Sequence, residues 1–281
     1  MQYKIEHITR YAYSKEVFLE PHIVRLRPRS DAAQMLKSFE ISINPLPTGK
    51  SNITDIGGDS VFLWFDDLTE SLEIICKSEV ETKLINPFDY ILSSDRAHRL
   101  PMDYNSPYDS VLEPYRNPSS VYGDEFEGFV AKIMLESENS SLNFLSALTT
   151  HIFENFEHEI RDDGPAQEPL ETLSRMQGSC RDFVVLFAEA CRSMGFAARF
   201  VSGYTEGDLT LNDNHLHAWA EVYLPGGGWR GYDPTLGLAV ADKHVALTSG
   251  ATPIEASPVS GTFRGTDATA EIEYELNIDR A

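Results

Sequence analysis

The hydrophobic period of this 281-residue chain changes twice along its length, and that restricts the folds open to it. Over the first hundred residues the period is two. Tyr3, Ile5, His7, Thr9, Tyr11 and Tyr13 alternate with Lys4, Glu6 and Arg10; Leu72, Ile74, Cys76 and Val80 alternate with Glu73, Lys77, Glu79 and Glu81. Alternation of this kind marks strands with one buried face. Shorter β-prone pieces, FEISI and VFLWF, lie between them, flanked by the turn-forming clusters NPLPTGKSN and DIGGDS. The pattern predicts an antiparallel β-sandwich over residues 1–105. A proline-rich stretch at 101–118, without clear period, then reads as a linker or a long ordered loop.

The period next becomes helical. Phe126, Phe129, Val130, Ile133 and Met134 fall on one helix face, and Leu142, Leu145, Thr149, Ile152, Phe153 and Phe156 on another. After the loop RDDGPAQEP, a third helix is expected from about Cys180 to Met194, with Gly195 as its C′ residue. Strands return with AARFVSGY, HAWAEVYL and WRGYDPT, the GGG of PGGGW turning the second into the third. Helices first and strands afterwards describe an α+β core over residues 106–250, not a doubly wound sheet. The tail, 251–281, ends in an alternating strand (Ile272, Tyr274, Leu276, Ile278) for which pairing with the N-terminal sheet is one option.

Forty-four acidic against 23 basic residues give a net charge of −21. Nucleic acids and anionic membranes call for clustered positive charge, so neither is expected as a partner. The opening MQYKIEHITRYAY lacks the apolar stretch of a signal peptide, and no apolar run is long enough to span a membrane. Three scattered cysteines, Cys76, Cys180 and Cys191, form neither a disulfide framework nor a zinc pattern. A reducing cytoplasm is the expected setting, where a free thiol is available for chemistry.

Cys180 is the thiol best placed for it. It follows Gln177-Gly178-Ser179 and opens a helix with the apolar stripe Phe183, Leu186, Phe187, Ala190, Cys191 and Met194. Unpaired backbone N–H groups and the positive end of the helix dipole favour a thiolate there. The same N–H groups are suited to hold an oxyanion, and Gly178 leaves room for a substrate backbone. His217 starts a strand, on one face with Trp219, Glu221 and Tyr223. Asp233 lies on the next strand, where antiparallel pairing brings it near His217. Cysteine, histidine and aspartate in this order have the layout of a thiol triad. Taken singly, Cys180 reads equally as a buried structural cysteine, His217 as a satisfied core histidine and Asp233 as a turn former. Asp182 reads as complementing the helix dipole, and Cys191 as core filling. His215, in the sequence HLH, rivals His217 as base, and with Asp213 it raises a metal alternative that finds no HExxH or paired CxxC in support.

Three blocks, GSCRDFVVLFAEACRSMGFAARFVSGY, HAWAEVYLPGGGW and GYDPTLG, resemble the transglutaminase-like superfamily of papain-like thiol enzymes. HITRYAY with VFLEPHIVRLRPRS, and later PVSGTFRG, resemble the bacterial type with an N-terminal β-domain; residues 84–125 add least. The resemblance implies a papain-like core with helices packed on an antiparallel sheet. It also implies acyl transfer at a protein or peptide carboxamide through a thioester on Cys180, with His217 as acid/base and Asp233 orienting it. Gln177 is a positional candidate for the second oxyanion donor, Gly178 is a candidate for substrate contact, and Trp219 is another that reads rather as a packing residue beside the triad. No cofactor is expected; some relatives use calcium, but no EF-hand pattern is present. The acceptor is an amine in transamidation or water in deamidation and proteolysis. A cysteine protease or amidase, or a binding module retaining the triad, are the alternatives.

Overall fold

The computed structural model describes residues 1–104, 109–161, 164–206 and 216–280. The alternating N-terminal residues form β1 (Gln2–Leu19), β2 (His22–Val24), β3 (Gln34–Asn44), β4 (Gly49–Asp55), β5 (Gly58–Trp64) and β6 (Leu68–Thr82). Helices and short strands follow: α1 (Asp109–Leu112), α2 (Asp124–Glu136), α3 (Ser141–Asn155), β7 (Glu157–His158), α4 (Pro169–Arg175), β8 (Gln177–Gly178) and α5 (Cys180–Ser193). The chain then runs through β9 (Ala198–Thr205), β10 (Leu216–Leu224), β11 (Gly228–Asp233), β12 (Leu238–Ala239) and β13 (His244–Gly250). It closes with β14 (Val259–Ser260), β15 (Phe263–Arg264) and β16 (Ala270–Arg280).

Two antiparallel sheets make the N-terminal lobe. One carries β1 between β6 and the tail strands β15 and β16, with β3 at its far edge; the other has the order β14-β2-β5-β4. The tail therefore completes both sheets, and β16 runs along β1 from Tyr3↔Arg280 to Tyr13↔Ala270. Alternation works as expected: Tyr3, Ile5, Leu72, Ile74, Cys76 and Val80 point into one core with Val24, Leu26, Val61 and Leu63 of the facing sheet.

A third antiparallel sheet, ordered β12-β11-β10-β9-β13, forms the second lobe. On one face Ala218, Ala220, Val222 and Leu224 of β10 pack with Phe183, Leu186 and Phe187 of α5 and with the other helices. Sequence periodicity predicts a single apolar stripe on α5, but Val184, Ala188, Glu189 and Arg192 are buried too, because α4 and the segment around Tyr115 cover its outer side. Gly195 ends the helix at φ +81°, the left-handed conformation a C′ residue requires. Helix α4 has no periodic signal in the sequence, because seven residues beside a Pro- and Gly-containing loop are too few to show one.

The lobes share core. Tyr204, Val245 and Leu247 of the second sheet are buried among the N-terminal residues. The Gln34 amide pairs with both backbone groups of Ala246, accepting from its N–H at 2.7 Å and donating to its C=O at 2.9 Å. Thr82 Oγ1 donates to the Asp242 carbonyl at 2.7 Å. Arg29 reaches across to buried Glu221, which Arg199 also holds. Burial pushes the Glu221 carboxyl up, but the two guanidinium groups outweigh it and bring the pKa to about 2.

Candidate active site

Ser179 precedes α5 and Cys180 is its first residue, so the thiol sits where the helix's opening amides have no carbonyl of their own helix to bond. Asp182, one turn in, is fully buried and binds on both oxygens. Oδ2 accepts from Ser179 N–H at 2.7 Å and Oγ–H at 2.8 Å; Oδ1 accepts from Gln167 N–H at 2.7 Å and Arg161 at 2.6 Å. This carboxylate thus ties the loop ahead of α4 to the start of the Cys180 helix, a larger part than the dipole complementarity read from sequence. Gly178 is required by the same packing. A Cβ there would lie 2.9 Å from Asp182 Cβ and 3.3 Å from the Phe183 ring, so the space is taken by the protein and not left for substrate.

His217 and Asp233 arrive from the sheet. The pairing Ala220↔Tyr232 sets the β10–β11 register, and Asp233 comes out on the same face as Trp219 and His217. His217 Nε2 donates to Asp233 Oδ2 at 2.7 Å. Its other ring nitrogen is not engaged by Asp233, and Cys180 lies beside the ring, close enough to help raise its pKa. Burial pushes the His217 pKa down, but the Asp233 carboxylate and the thiol beside it outweigh that and raise it to about 10. Asp233, fully buried, is pushed up by burial and pulled further down by His217 and His244, ending well below the ordinary carboxylate range. Its Oδ1 accepts from the N–H groups of Thr235 at 2.9 Å and Leu236 at 3.1 Å. Cys180 is partly exposed, whereas Cys76 and Cys191 are buried; burial raises the Cys76 thiol to about 12 and pushes Cys191 up as well.

A fourth residue joins them that sequence reasoning missed. His244 Nε2 donates to Asp233 Oδ2 at 2.9 Å. A lone histidine opening VALTSG has no spacing that marks it; only the crossing of the chain from β12 to β13 brings it over the sheet. His217, Asp233 and His244 are the one cluster with metal-ligating spacing among the described residues, each ligand atom within 4.8 Å of the others. Both Nε2 atoms converge on a single carboxylate oxygen, Asp233 Oδ2. His215 and Asp213 lie outside the described residues.

The thiol opens into a groove of about 1310 Å³ whose walls come from both lobes. Cys180, His217 and Ser179 line its floor; Tyr11, Ile272 and Tyr274 face it from the N-terminal sheet, and Ile160, Leu236 and Ile254 from the core. Ile160, Leu236, Ile254 and Ile272 are all exposed. The arginines in the walls are engaged: Arg161 with Asp182, Arg192 with Glu189 at 2.6 Å, and Arg181 with the Gly164 carbonyl at 2.6 Å. Of the oxyanion and substrate candidates, Gln177, Gly178 and Trp219 are absent from these walls. Gln177 and Gly178 are tied up in the parallel pairing of β8 with β7. Trp219 is 1% exposed and, as the packing reading has it, lies against His217 and His244 and packs with Val201, Val240 and Ala246.

A sheet presenting histidine and aspartate to a thiol at a helix start defines a papain-like arrangement. Residues 128–234 match the transglutaminase-like superfamily and residues 3–81 the bacterial transglutaminase-like N-terminal region. The chain belongs to the transglutaminase-like superfamily, with the N-terminal region of its bacterial members. An uncharacterized protein of Mycobacterium tuberculosis is 23% identical over 295 residues, covering 99% of this chain and 92% of its own. A second, from Mycobacterium leprae, is 31% identical over 116 residues, 40% of each chain. The crystal structure of a proposed cysteine protease from Cytophaga hutchinsonii has a TM-score of 0.72 at 19% identity, over 100% of this chain and 91% of that one. At that identity the likeness establishes the shared fold.

Proposed function

We propose that this protein is a thiol-dependent acyl-transfer enzyme acting on a carboxamide of a polypeptide. The observation that carries the reading is a partly exposed Cys180 in a two-lobed groove, beside a histidine that Asp233 holds at 2.7 Å. The thiolate attacks the carboxamide carbon, and the opening amides of α5 receive the negative charge on oxygen. The C–N bond then breaks, the nitrogen leaving with the proton that His217 delivers. Water or an amine attacks the resulting thioester, gives its proton to His217, and releases Cys180 as the thiolate. A groove this wide leaves the thioester open to water, which favours hydrolysis over transamidation. Its size and its exposed apolar rim suit an extended polypeptide better than a free amino acid.

Brief treatment with a low dose of iodoacetamide near neutral pH, followed by mass spectrometry, tests the triad. Cys180 is expected to label ahead of Cys76 and Cys191, and replacing His217 by Asn is expected to remove that preference. Equal labelling before and after the replacement would sink the reading. Glutamine-containing peptides assayed for ammonia release, and for incorporation of an added amine, then separate hydrolysis from transfer.

A further inference from the structure

Asp233 Oδ2 receives two imidazole hydrogen bonds, and the triad accounts for only one of them. The other comes from His244, 2% exposed in its side chain, whose Nδ1 has no hydrogen-bond partner among the described residues. The carboxylate accepts only, so the His244 proton resides on Nε2 and points at the oxygen that also receives His217. The ring is confined. Trp219 meets it edge-on at 5.1 Å and 79°. The chain reaching it from β12 passes over the sheet through Val240, which packs on Val201, Trp219 and Ala246. Gly203, paired with both His217 and Ala246, leaves the space the indole needs; a Cβ there would lie 2.4 Å from Trp219 Cη2. The strand that carries His244 is in turn held by the N-terminal lobe, through Gln34 on Ala246 and Gly57 on Ser249.

We propose that His244 is a positioning residue: its Nε2–H fixes the Asp233 oxygen in the direction that aims His217 at Cys180. Oδ1 is anchored by Thr235 and Leu236, which leaves Oδ2 to be held by His217 and His244. The His244 donor opposes any displacement of Oδ2 as His217 moves, and supplies a further hydrogen bond to the charged form. The inference rests on the reading of Cys180, His217 and Asp233 as a thiol triad. It also gives the N-terminal lobe a part in catalysis, because that lobe clamps the strand from which His244 projects.

The test measures the rate of Cys180 alkylation by iodoacetamide, and kcat and KM with a glutamine peptide, in the full chain. His244→Phe keeps a ring of similar size without the donor, His244→Asn keeps a donor that falls short of Asp233, and His244→Gln places an N–H close to the original Nε2. The Phe and Asn variants are expected to lose about 10- to 100-fold in alkylation rate and kcat with KM little changed, as for a misaimed catalytic group. His244→Gln is expected to stay within about threefold of the parent, because it restores the donor that aims the base. Thermal unfolding identifies folded variants, and the Asn variant carries the test if the Phe variant does not fold. Parent-like rates in the folded Asn or Phe variant overturn the proposal, as does equal impairment of Gln and Asn, which would show a packing role. A parent protein whose Cys180 is no more reactive than an unassisted thiol overturns the triad reading instead.

Discussion

The Asp233 carboxylate takes four hydrogen bonds, two on each oxygen, and has no exposure to water. It is therefore held as an anion, and the charge on His217 follows from it. The ordinary imidazole pKa of 6.5 is pushed down by burial and pushed up further by Asp233 and Cys180, to about 10. A raised folded pKa means that the charged histidine contributes in full below pH 6.5, and that the contribution is lost as pH rises through about 10. If the imidazolium protonates the departing nitrogen, ammonia release should hold across neutral pH and fall along a basic limb near pH 10. Asp233→Asn removes the chief upward influence, so the limb should move toward lower pH and the rate drop by about a hundredfold or more. Profiles of kcat/KM against pH, which report the free enzyme, check both statements for the two proteins; an unmoved limb would remove Asp233 from its orienting role.

At the scale of elements, the start of α5 is held from outside the helix. Asp182 gathers Ser179, Gln167 and Arg161, and thereby fixes both the helix entry and the loop that walls the groove. An asparagine there would turn an N–H group toward donors and leave at least one buried group unpaired. Asp182→Asn should therefore cost about 2–4 kcal/mol of stability. Urea unfolding measures this, and a loss under about 0.5 kcal/mol would show that the hub contributes no more than an exposed pair. The same strip of chain shows how local signals mislead. Gly178, two residues before Cys180, reads as space for substrate, yet its missing Cβ makes room for Asp182.

At the scale of the whole molecule, the groove exists only because the two lobes are fused through a shared core and an interlobe ion cluster. Ile272 and Tyr11, directly paired across β16 and β1, face the thiol's groove although they belong to the other lobe. An apolar polypeptide segment lying along the groove would bury Ile272, and a carboxylate in its place would have to be desolvated. Ile272→Asp is expected to raise KM for an apolar glutamine peptide about tenfold, the equivalent of one poorly paired polar group. Cys180 alkylation should not change, since Ile272 has no part in activating the thiol. An unchanged KM would confine substrate contacts to the core lobe.

Sequence alone determined the elements whose signals are local. Alternation delivered the long strands, the helical period delivered α2, α3 and α5, and the order of cysteine, histidine and aspartate on helix, strand and hairpin partner marked three residues that do meet. The tertiary structure decided whatever depends on partners remote in the chain. The alternation of β16 shows that it is a strand but not that β1 receives it, since any apolar face satisfies the same pattern. His244 carries no local mark in the sequence, and only the crossover sets it 2.9 Å from Asp233. The apolar stripe of α5 hides the burial of its polar side, because periodicity records the face a helix turns to one neighbour and is silent about a second layer.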